Sequence, residues 1–365
     1  MFDRRLLTHF DWVLLVLVLV IAAIGIGNLY SATSAWPRTG LTIYYKQGVW
    51  VGCGLLLALG VCTFDYRKLE YLSPFLYAGC LLLLGAVILF GKTIMGAQRW
   101  IDLGFFNLQP SEVMKIVIIL TMATYFANHE EPLGYGLKAL FRPLAMLILP
   151  VFLIAKQPDL GTALLLLAIG GTMALYAGIR RRTLILFGGL GFAACWGGWH
   201  FLHGYQRQRI LTFLNPESDP LGAGYHIIQS KIAVGSGGFL GKGYLEGTQS
   251  QLAFLPERHT DFAFSVFSEE WGFAGCLILL GLYLLLMLWG LRIADRAGDR
   301  FGTFVALGVV ALMFWHATVN LGMVVGLLPV VGVPLPLFSY GGTSMVTTMI
   351  GVGLLFNVSM RRFVF

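Results

Sequence analysis

The stretch Gln251-Leu-Ala-Phe-Leu-Pro256-Glu257-Arg258-His259-Thr260-Asp261-Phe-Ala-Phe264 joins a long polar segment to a strongly apolar run. Glu257, Arg258, His259 and Asp261 lie within it, whereas most of the remaining chain is apolar. Ionisable groups where water meets lipid are energetically unfavourable, so such a cluster is a candidate functional site. Asp261 is the candidate reacting group. The alternative is that Asp261 only caps the following helix, since Asp is a favoured N-cap residue.

The composition around this stretch is that of an integral membrane protein. The 365 residues are 57% hydrophobic and 12% charged, and the mean hydropathy is +0.78, whereas a soluble domain carries about 25% charged residues. Basic loops explain the net charge of +7 better than nucleic-acid binding does. The five cysteines all lie in apolar runs, without the spacing of a metal site or a disulfide framework.

Apolar runs of about 17–25 residues predict membrane-spanning helices. The basic start, Met1–Leu6, precedes a run too long for a signal peptide, so we expect a retained first helix. The chain is therefore predicted to be an all-α, polytopic membrane protein with a single domain, 1–365. Ten spans are expected near 11–31, 45–64, 71–90, 110–127, 143–156, 159–178, 183–202, 262–290, 302–323 and 340–359.

The basic residues predict the orientation, because cytoplasmic loops are rich in Lys and Arg. With both termini in the cytoplasm, the inner segments hold Arg4, Arg5, Arg67, Lys68, Lys138, Arg142, Arg180, Arg181, Arg182, Arg292, Arg296, Arg300, Arg361 and Arg362. The short outer loops hold only Arg38, Lys46, Lys92, Arg99 and Lys156. Asp261 and the long loop 203–261, between helices 7 and 8, then face outward. The unusual polar connections share this face, so we expect the function at the outer membrane surface.

The long outer loop is predicted to be partly helical. Segments 203–217 and 225–234 have apolar residues at helical spacing and suit short helices lying on the bilayer surface. Arg209 lies in the first of them. The glycine-rich turn Gly235–Gly243 lacks the glycine and hydroxyl positions of a phosphate-binding loop, so nucleotide binding is not expected.

Several polar residues are predicted to lie inside the membrane region. Glu112 and Lys115 share one helical face at i,i+3 spacing; they form either a structural ion pair or a cationic wall for an anionic ligand. Asp159 follows Pro158 and opens a helix, so N-capping alone would explain it. We expect structural hydrogen-bond partners for the remaining members of this group, Glu269, Glu270, His316 and Asn320.

The segment Leu327–Ser344 contains three prolines and no acidic or basic residue. Irregular backbone at membrane depth is tolerated only where it packs in protein or lines a cavity. We therefore expect a folded-in loop. Ser339, Tyr340 and Thr343 would provide the neutral hydrogen-bonding wall of a site.

These features favour one class of chemistry. A carboxylate can act as a general base on a sugar hydroxyl, and cations can stabilise a phosphate leaving group. A helical bundle open to lipid can admit a polyprenyl chain. Together they suit sugar transfer from a lipid-linked pyrophosphate donor. The sequence contains no HExxH metal motif and no Gly-x-Ser-x-Gly motif.

Four motifs, in order along nearly the whole chain, resemble the shape, elongation, division and sporulation (SEDS) family. They are Gln109–Lys115, Lys156–Thr162, Pro256–Phe262 and Pro334–Ser344. The resemblance implies a peptidoglycan glycosyltransferase that polymerises lipid II at the outer face of the bacterial plasma membrane, for cell elongation and rod shape. It also implies a nascent glycan strand as acceptor, a class B penicillin-binding protein as partner, and other membrane proteins of the elongation complex.

The resemblance also implies roles for individual residues. Asp261 matches the family's essential aspartate and is expected to act as a general base in an inverting transfer. Lys115 and Arg209 are candidates to hold the pyrophosphate, and Asp159 and Glu112 would position Lys115 or a divalent cation, Mg²⁺ or Mn²⁺. Further candidate supporting residues are Arg258, His259, Ser339, Tyr340 and Thr343.

Two alternatives remain open from the sequence. A lipid II flippase would need polar groups deep in the bundle and accessible from both faces, and the buried acids, His316 and Asn320 allow it. A non-catalytic scaffold for the transpeptidase would use Asp261 only as a cap and would tolerate Asp261→Asn, because Asn caps about as well as Asp.

Overall fold

The fold is a bundle of long helices joined by short connections and one longer segment. The computed structural model describes residues 9–34, 40–94, 97–102, 104, 107–198, 204–218, 223–252, 254 and 257–362. The helices are α1 Trp12–Thr33, α2 Gly40–Thr63, α3 Lys68–Phe90, α4 Pro110–Asn128, α5 Leu137–Lys156, α6 Leu160–Ala177, α7 Arg181–Gly198, α8 Gly204–Leu214, α9 Ala223–Ser236, α10 Thr248–Gln251, α11 Ala263–Asp295, α12 Arg300–Val324 and α13 Gly342–Arg361.

Nine helices within the described residues are long and apolar enough to cross a membrane, namely α1 to α6 and α11 to α13. They match nine of the ten predicted spans. The remaining predicted span, 183–202, is the seventh along the chain and corresponds to α7. The described part of α7 ends at Gly198, and residues 199–202 lie outside the described residues. The orientation of the bundle stays a prediction.

The fifth span is longer than predicted, because α5 begins at Leu137 and not at 143. Pro143 and Pro150 lie inside this helix. Prolines are tolerated in membrane helices, where neighbouring groups satisfy the carbonyls that they release. The predicted start of this span near residue 143 was therefore too late in the chain.

Three helices form the centre of the bundle. In their most apolar windows α4, α13 and α12 are 83%, 78% and 72% buried, whereas α3 is 22% buried. A helix that is apolar on all sides can lie either in the protein centre or against lipid. The polar residues distinguish the two positions, since α4 carries buried Glu112 and Lys115 and α12 carries buried His316 and Asn320.

Helix α11 is interrupted by the glycine-rich turn that follows α9. Gly272 has φ 62° and ψ −163°, and an added Cβ there would lie 2.2 Å from the Gly241 nitrogen. The turn replaces the missing helical hydrogen bonds, because the Phe273 N–H donates to the Gly238 carbonyl at 2.9 Å and the Lys242 N–H to the Glu269 carbonyl at 3.0 Å. Glycine is needed here for both backbone conformation and close approach.

The two adjacent acids of α11 have the structural partners that the sequence predicts. Glu269 accepts hydrogen bonds from Lys242 Nζ at 2.7 Å and Thr248 Oγ1 at 2.9 Å, and it fixes the long loop to the bundle. Glu270 accepts a hydrogen bond from Ser31 on α1. Both carboxylates are buried.

The connection between α3 and α4 forms a small antiparallel sheet that the sequence analysis missed. Its strands are β1 Lys92–Ile94, β2 Ala97–Asp102 and β3 Asn107–Leu108, in the order β1-β2-β3. Strands this short give little periodic signal. The sheet matters because β2 carries Arg99 towards the start of α6.

The proline-rich segment is a folded-in loop, as predicted. Val333, Leu335 and Phe338 are buried, and an added Cβ on Gly25 of α1 would lie 2.7 Å from the Phe338 backbone. Asn320 Nδ2 of α12 donates to the Val333 carbonyl at 2.7 Å. Packing against several helices thus replaces the missing regular hydrogen bonds.

Candidate active site

A polar cavity of about 680 Å³ opens at the end of the bundle where α4, α6, α11 and α13 begin. A size of this order is typical of ligand sites. The charged or titratable groups that line it, apart from tyrosines, are Lys46, Arg99, Glu112, Asp159, Asp261 and His316. Three separate motifs, Gln109–Lys115, Lys156–Thr162 and Pro256–Phe262, therefore contribute carboxylates to one site.

Asp261 lies in the turn before α11 and lines the cavity. The N-cap position of α11 is occupied by Phe262, whose side chain makes no capping hydrogen bond. Asp261 lies one residue before the N-cap position. Gly332 of the folded-in loop comes close to the carboxylate, since an added Cβ would lie 3.5 Å from Asp261 Oδ2.

Asn320 holds the Asp261 turn against the folded-in loop. Its Nδ2 donates to the Asp261 carbonyl at 2.9 Å and to the Val333 carbonyl at 2.7 Å. Asn320 is fully buried, so this bridge lies in the protein interior. Its role is structural, as expected from the sequence, and it fixes the backbone on which the Asp261 carboxylate stands.

Lys115 lies behind the cavity wall and joins two groups that line it. Its Nζ donates to Glu112 Oε1 at 2.6 Å and lies 2.7 Å from His316 Nε2. The Nδ1 of His316 lies 2.8 Å from the Leu312 carbonyl, which suits a proton on Nδ1 and a lone pair on Nε2 facing the ammonium group. The predicted i,i+3 ion pair is present, and His316 completes it.

Asp159 is the N-cap of α6 and also half of an ion pair. Its carboxylate accepts from the Thr162 N–H at 3.3 Å and from Gln109 Nε2 at 3.1 Å. Arg99 Nη1 lies 3.6 Å away, and the same guanidinium donates to the Pro158 carbonyl. The β2 strand and the start of α6 are thereby tied together across the cavity.

The predicted neutral wall is only partly at the cavity. Tyr340 and Thr343 line it, and burial raises the pKa of Tyr340. Ser339 is used inside the folded-in loop, where its Oγ accepts from the Leu335 N–H at 3.1 Å. The described residues that line the cavity do not include Ser339.

The remaining predicted residues flank the Asp261 turn or lie beyond what is described. Arg258 is buried, and burial lowers its pKa. The His259 carbonyl accepts from the Tyr340 N–H at 2.9 Å, which joins the Asp261 turn to the folded-in loop. Arg209 belongs to α8, but its side chain lies outside the described residues.

Sequence reasoning missed Lys46 and Arg99 as members of the site. Both line the cavity, yet they entered the sequence analysis only as outer-loop basic residues. The sequence contained a signal, because few basic residues are expected in outer loops and each one there is a candidate functional residue. Two of the five outer Lys and Arg residues line the cavity.

The fit of a divalent cation can be judged from the described carboxylates. No three side chains of His, Cys, Asp or Glu within the described ranges group closely enough to hold a metal ion by themselves. Glu112 is paired with Lys115 and Asp159 with Arg99. Magnesium, however, is often held by one or two carboxylates together with substrate phosphates, and the cavity carboxylates suit that arrangement.

An apolar groove of about 490 Å³ adjoins the polar cavity. It runs along α2, α4 and α13 and shares Trp50 and Thr343 with the cavity lining. Its walls are formed mainly by Leu, Val and Ile side chains. A ligand with a charged head and a long hydrocarbon tail could therefore occupy both spaces at once.

The fold and site define a polytopic membrane protein with a carboxylate-lined cavity next to a lipid-accessible groove. The family model that describes the FtsW, RodA and SpoVE cell cycle proteins matches residues 8–363. The chain belongs to this family, as the four motifs predicted.

The relatives carry consistent names. The peptidoglycan glycosyltransferase MrdB of Escherichia coli K12 is 45% identical over 358 residues, which cover 97% of this chain and 94% of that protein. The peptidoglycan glycosyltransferase RodA of Treponema pallidum is 36% identical and covers 98% and 99% of the two chains.

Two solved structures are similar throughout. A chain from a peptidoglycan synthase complex that coordinates polymerization and crosslinking has a TM-score of 0.84 and 36% identity, with 98% of this chain and 99% of that chain covered. The rod shape determining protein RodA of Thermus thermophilus has a TM-score of 0.71 and 31% identity, with 97% and 98% covered.

Proposed function

We infer that this protein is a peptidoglycan glycosyltransferase that polymerises lipid II into β-1,4-linked glycan strands. The observation that carries the inference is the Asp261 carboxylate in a polar cavity that adjoins an apolar groove. Family membership supports the activity, because relatives covering nearly the whole chain bear this name.

The shape of the site fits a substrate with a sugar-diphosphate head and a polyprenyl tail. The groove along α2, α4 and α13 would take the tail, and the polar cavity the disaccharide and the pyrophosphate. Lys46 and Arg99 line the cavity and supply positive charge where a diphosphate needs it. Neutralising a developing phosphate charge lowers the barrier to its departure.

In the proposed reaction Asp261 is the general base. Its carboxylate takes the proton from the 4-hydroxyl of the acceptor's N-acetylglucosamine. That oxygen attacks the anomeric carbon of the donor's N-acetylmuramic acid as the bond to the pyrophosphate oxygen breaks. The α-linkage becomes a β-1,4-linkage with inversion, and undecaprenyl pyrophosphate leaves with the bonding electron pair.

The supporting residues divide between substrate contact and positioning. Lys46, Arg99, Tyr340 and Thr343 face the cavity and are proposed to contact substrate. Lys115 lies behind the cavity wall and contacts Glu112 and His316, which line it. Its proposed role in holding pyrophosphate would therefore act through these two neighbours. Arg209 remains a proposed phosphate ligand, and Arg258, His259 and Ser339 are proposed to hold the Asp261 turn and the loop beside it.

A divalent cation is proposed as an aid to pyrophosphate binding. Glu112 or Asp159 would hold it together with phosphate oxygens, where it would neutralise charge on the leaving group. Removing divalent ions with a chelator and restoring Mg²⁺ or Mn²⁺ tests this requirement directly: strand formation unaffected by the chelator would exclude it.

We further propose that the site faces the outer side of the plasma membrane. The asymmetry of Lys and Arg residues supports this orientation. A class B penicillin-binding protein is the proposed partner, since a similar chain was solved in a complex that coordinates polymerization and crosslinking. Assembly with further elongation proteins, in a single domain spanning 1–365, is part of the same proposal.

The test is lipid II polymerisation by purified full-length protein in liposomes, with the transpeptidase partner added and its crosslinking blocked. Wild type is compared with Asp261→Asn and with Asp102→Asn. The control changes the same type of side chain at an exposed position of β2, at the same end of the bundle and outside the cavity lining.

We expect strands from wild type and Asp102→Asn, and a loss of about 10²–10⁴-fold for Asp261→Asn, the usual contribution of a general base. Melting temperatures should be similar for all three. Equal strand formation by a stable Asp261→Asn variant would exclude Asp261 from the chemistry. No strands from any of them would instead favour the flippase or the scaffold.

A further inference from the structure

A second cavity lies at the opposite end of the bundle from the candidate active site. It has a volume of about 370 Å³ and lies where α1 begins and α11 and α13 end. The active-site cavity lies where α11 and α13 begin. The 20 residues of α13, Gly342–Arg361, separate the two cavities by roughly 30 Å at 1.5 Å per residue, so the second cavity takes no part in the glycosyl transfer.

The lining of this cavity carries an excess of positive charge. Arg292, Arg296 and Arg362 contribute three guanidinium groups, and Asp11 is the one carboxylate among the described lining residues. Arg292 lies in the last turn of α11 and Arg296 is the C-cap residue that follows it, so the two are about one helical turn apart. Neither of these two forms an ion pair with a carboxylate in the part of the chain that the structure describes.

The single carboxylate is already used by the protein. Asp11 caps α1 by accepting from the Leu14 N–H at 3.1 Å. It also accepts from Trp289 Nε1 at 2.9 Å and from Ser359 Oγ at 3.1 Å. These donors join α1, α11 and α13 through one side chain, so Asp11 shapes the cavity, and among the described residues it forms no ion pair with Arg292 or Arg296.

One of the arginines is held in place by an aromatic ring. The Arg292 guanidinium lies 4.7 Å from the centroid of the Trp289 ring, and Trp289 is fixed by its hydrogen bonds to Asp11. A stacked guanidinium keeps its N–H groups available for a planar or tetrahedral oxyanion. Arginines at the C-terminal end of a helix also interact favourably with the helix dipole. That interaction alone does not explain why the arginines line a cavity between three helices.

The opposite wall of the cavity is apolar and accessible. Trp12 is 66% exposed and Val13 is 45% exposed, and both line the cavity. Tryptophan is enriched where a membrane protein meets the lipid headgroup region. The cavity therefore combines Arg292 and Arg296, which have no ion-pair partner within the described part of the chain, with a surface suited to the beginning of an acyl chain.

We propose that this cavity binds a phosphate-bearing anion. Basic pockets between transmembrane helices are suited to anionic lipid headgroups, and the exposed Trp12 and Val13 favour a phospholipid over a free phosphate ion as the source. Because the site joins the ends of α1, α11 and α13, its occupant would brace the bundle at the end remote from the active site.

The proposal is tested with delipidated full-length protein in detergent, by counting bound lipids with native mass spectrometry. Dioleoylphosphatidylglycerol and dioleoylphosphatidylcholine have the same chains and differ in headgroup charge. Wild type is compared with Arg292→Gln/Arg296→Gln. The control, Arg181→Gln/Arg182→Gln, removes two exposed arginines at the start of α7, at the same end of the bundle.

We expect wild type and the control to bind phosphatidylglycerol on the order of tenfold more tightly than phosphatidylcholine, and the double variant to lose this preference. Inorganic phosphate provides the second arm. If millimolar phosphate displaces phosphatidylglycerol and raises the melting temperature of wild type but not of the double variant, the ligand is a free phosphate anion. If wild type prefers phosphatidylglycerol and phosphate does not displace it, the ligand is the lipid.

Two results would overturn the proposal. One is a wild-type protein with neither a preference for phosphatidylglycerol nor a response to phosphate, which decides the matter even if the double variant fails to fold. The other is a preference that survives in Arg292→Gln/Arg296→Gln or that is lost equally in the control. The single variant Arg296→Gln, which leaves the Trp289 contact intact, should show an intermediate loss.

Discussion

Asp159 and Asp261 stand in similar sequence surroundings, yet the fold gives their carboxylates different partners. Each follows a short polar turn and comes just before an apolar helix. Asp159 caps α6, accepts from Gln109 and pairs with Arg99. The helix after Asp261 has Phe262 at its N-cap position without a side-chain hydrogen bond, and Asp261 faces the folded-in loop at Gly332.

The difference shows how one type of residue serves two purposes at one cavity. The Asp159 carboxylate accepts from a helix N-terminus and lies beside an arginine, so structural partners hold it in place. A carboxylate on a turn that is itself held by Asn320 keeps its position through the backbone. The backbone of the Asp261 turn is thus held by Asn320, whereas Asp159 is held through its own carboxylate.

The largest stability effect is expected where a buried pair is broken. Lys115 is 1% exposed and its partner Glu112 is 5% exposed. Lys115→Met would leave the Glu112 carboxylate buried without its cation, which costs about 3 kcal/mol. The loss is measured as a fall in melting temperature of the purified protein. Lys92→Met is the control, because its pair with Asp102 is exposed and exposed ion pairs contribute little to stability.

The double variant Glu112→Gln/Lys115→Met sharpens the result. It removes the uncompensated charge and should regain part of the lost stability. Strand formation by this variant would mean that Lys115 acts within the wall. Complete loss of activity in a stable double variant would instead support the sequence-based role of Lys115 or Glu112 in substrate binding.

A smaller effect is expected from removing the cap of α6. Asp159→Ala loses the bond to the Thr162 N–H and should lower the free energy of unfolding by about 1 kcal/mol. Asp159→Asn keeps a capping oxygen and should lose less. In polymerisation assays Asp159→Asn should still form strands, in contrast to Asp261→Asn. Equal inactivation by both Asn substitutions would break the distinction between the two aspartates.

Much of the fold could be predicted because its causes are local. Apolar runs long enough to span a membrane gave nine helices, and the three prolines after Leu327 indicated the folded-in loop. The Glu112–Lys115 pair followed from i,i+3 spacing. In each case the decisive interactions lie within one segment, or the composition alone excludes other structures.

The rest depends on interactions between distant segments. The pairing of Arg99 with Asp159 joins residues 60 positions apart, and His316 reaches Lys115 across 201 positions. The break at Gly272 has no proline to indicate it, and glycine is common in membrane helices. Its cause is the turn at Gly238–Gly241, whose backbone takes the place of helical partners.

The smallest effect on stability is expected from a change in pH, and it concerns the turn that carries Asp261. Burial lowers the pKa of His259, so the folded state favours the neutral ring. The resulting stability is present above the unfolded pKa of about 6.5 and is lost as the pH falls through that value towards the lowered one. His226, on α9, contributes in the same direction, because burial lowers its pKa as well.

Melting temperatures of wild type and His259→Asn between pH 8 and pH 5 measure this effect. At pH 8 their difference reports only the packing of the imidazole ring; below pH 6.5 the wild type should lose stability more steeply, and the difference should shrink. The His259 carbonyl accepts from the Tyr340 N–H, which ties the Asp261 turn to the folded-in loop. Acid should therefore loosen the surroundings of Asp261 before the capped and paired Asp159. A difference that stays constant with pH would show that His259 does not couple protonation to this turn.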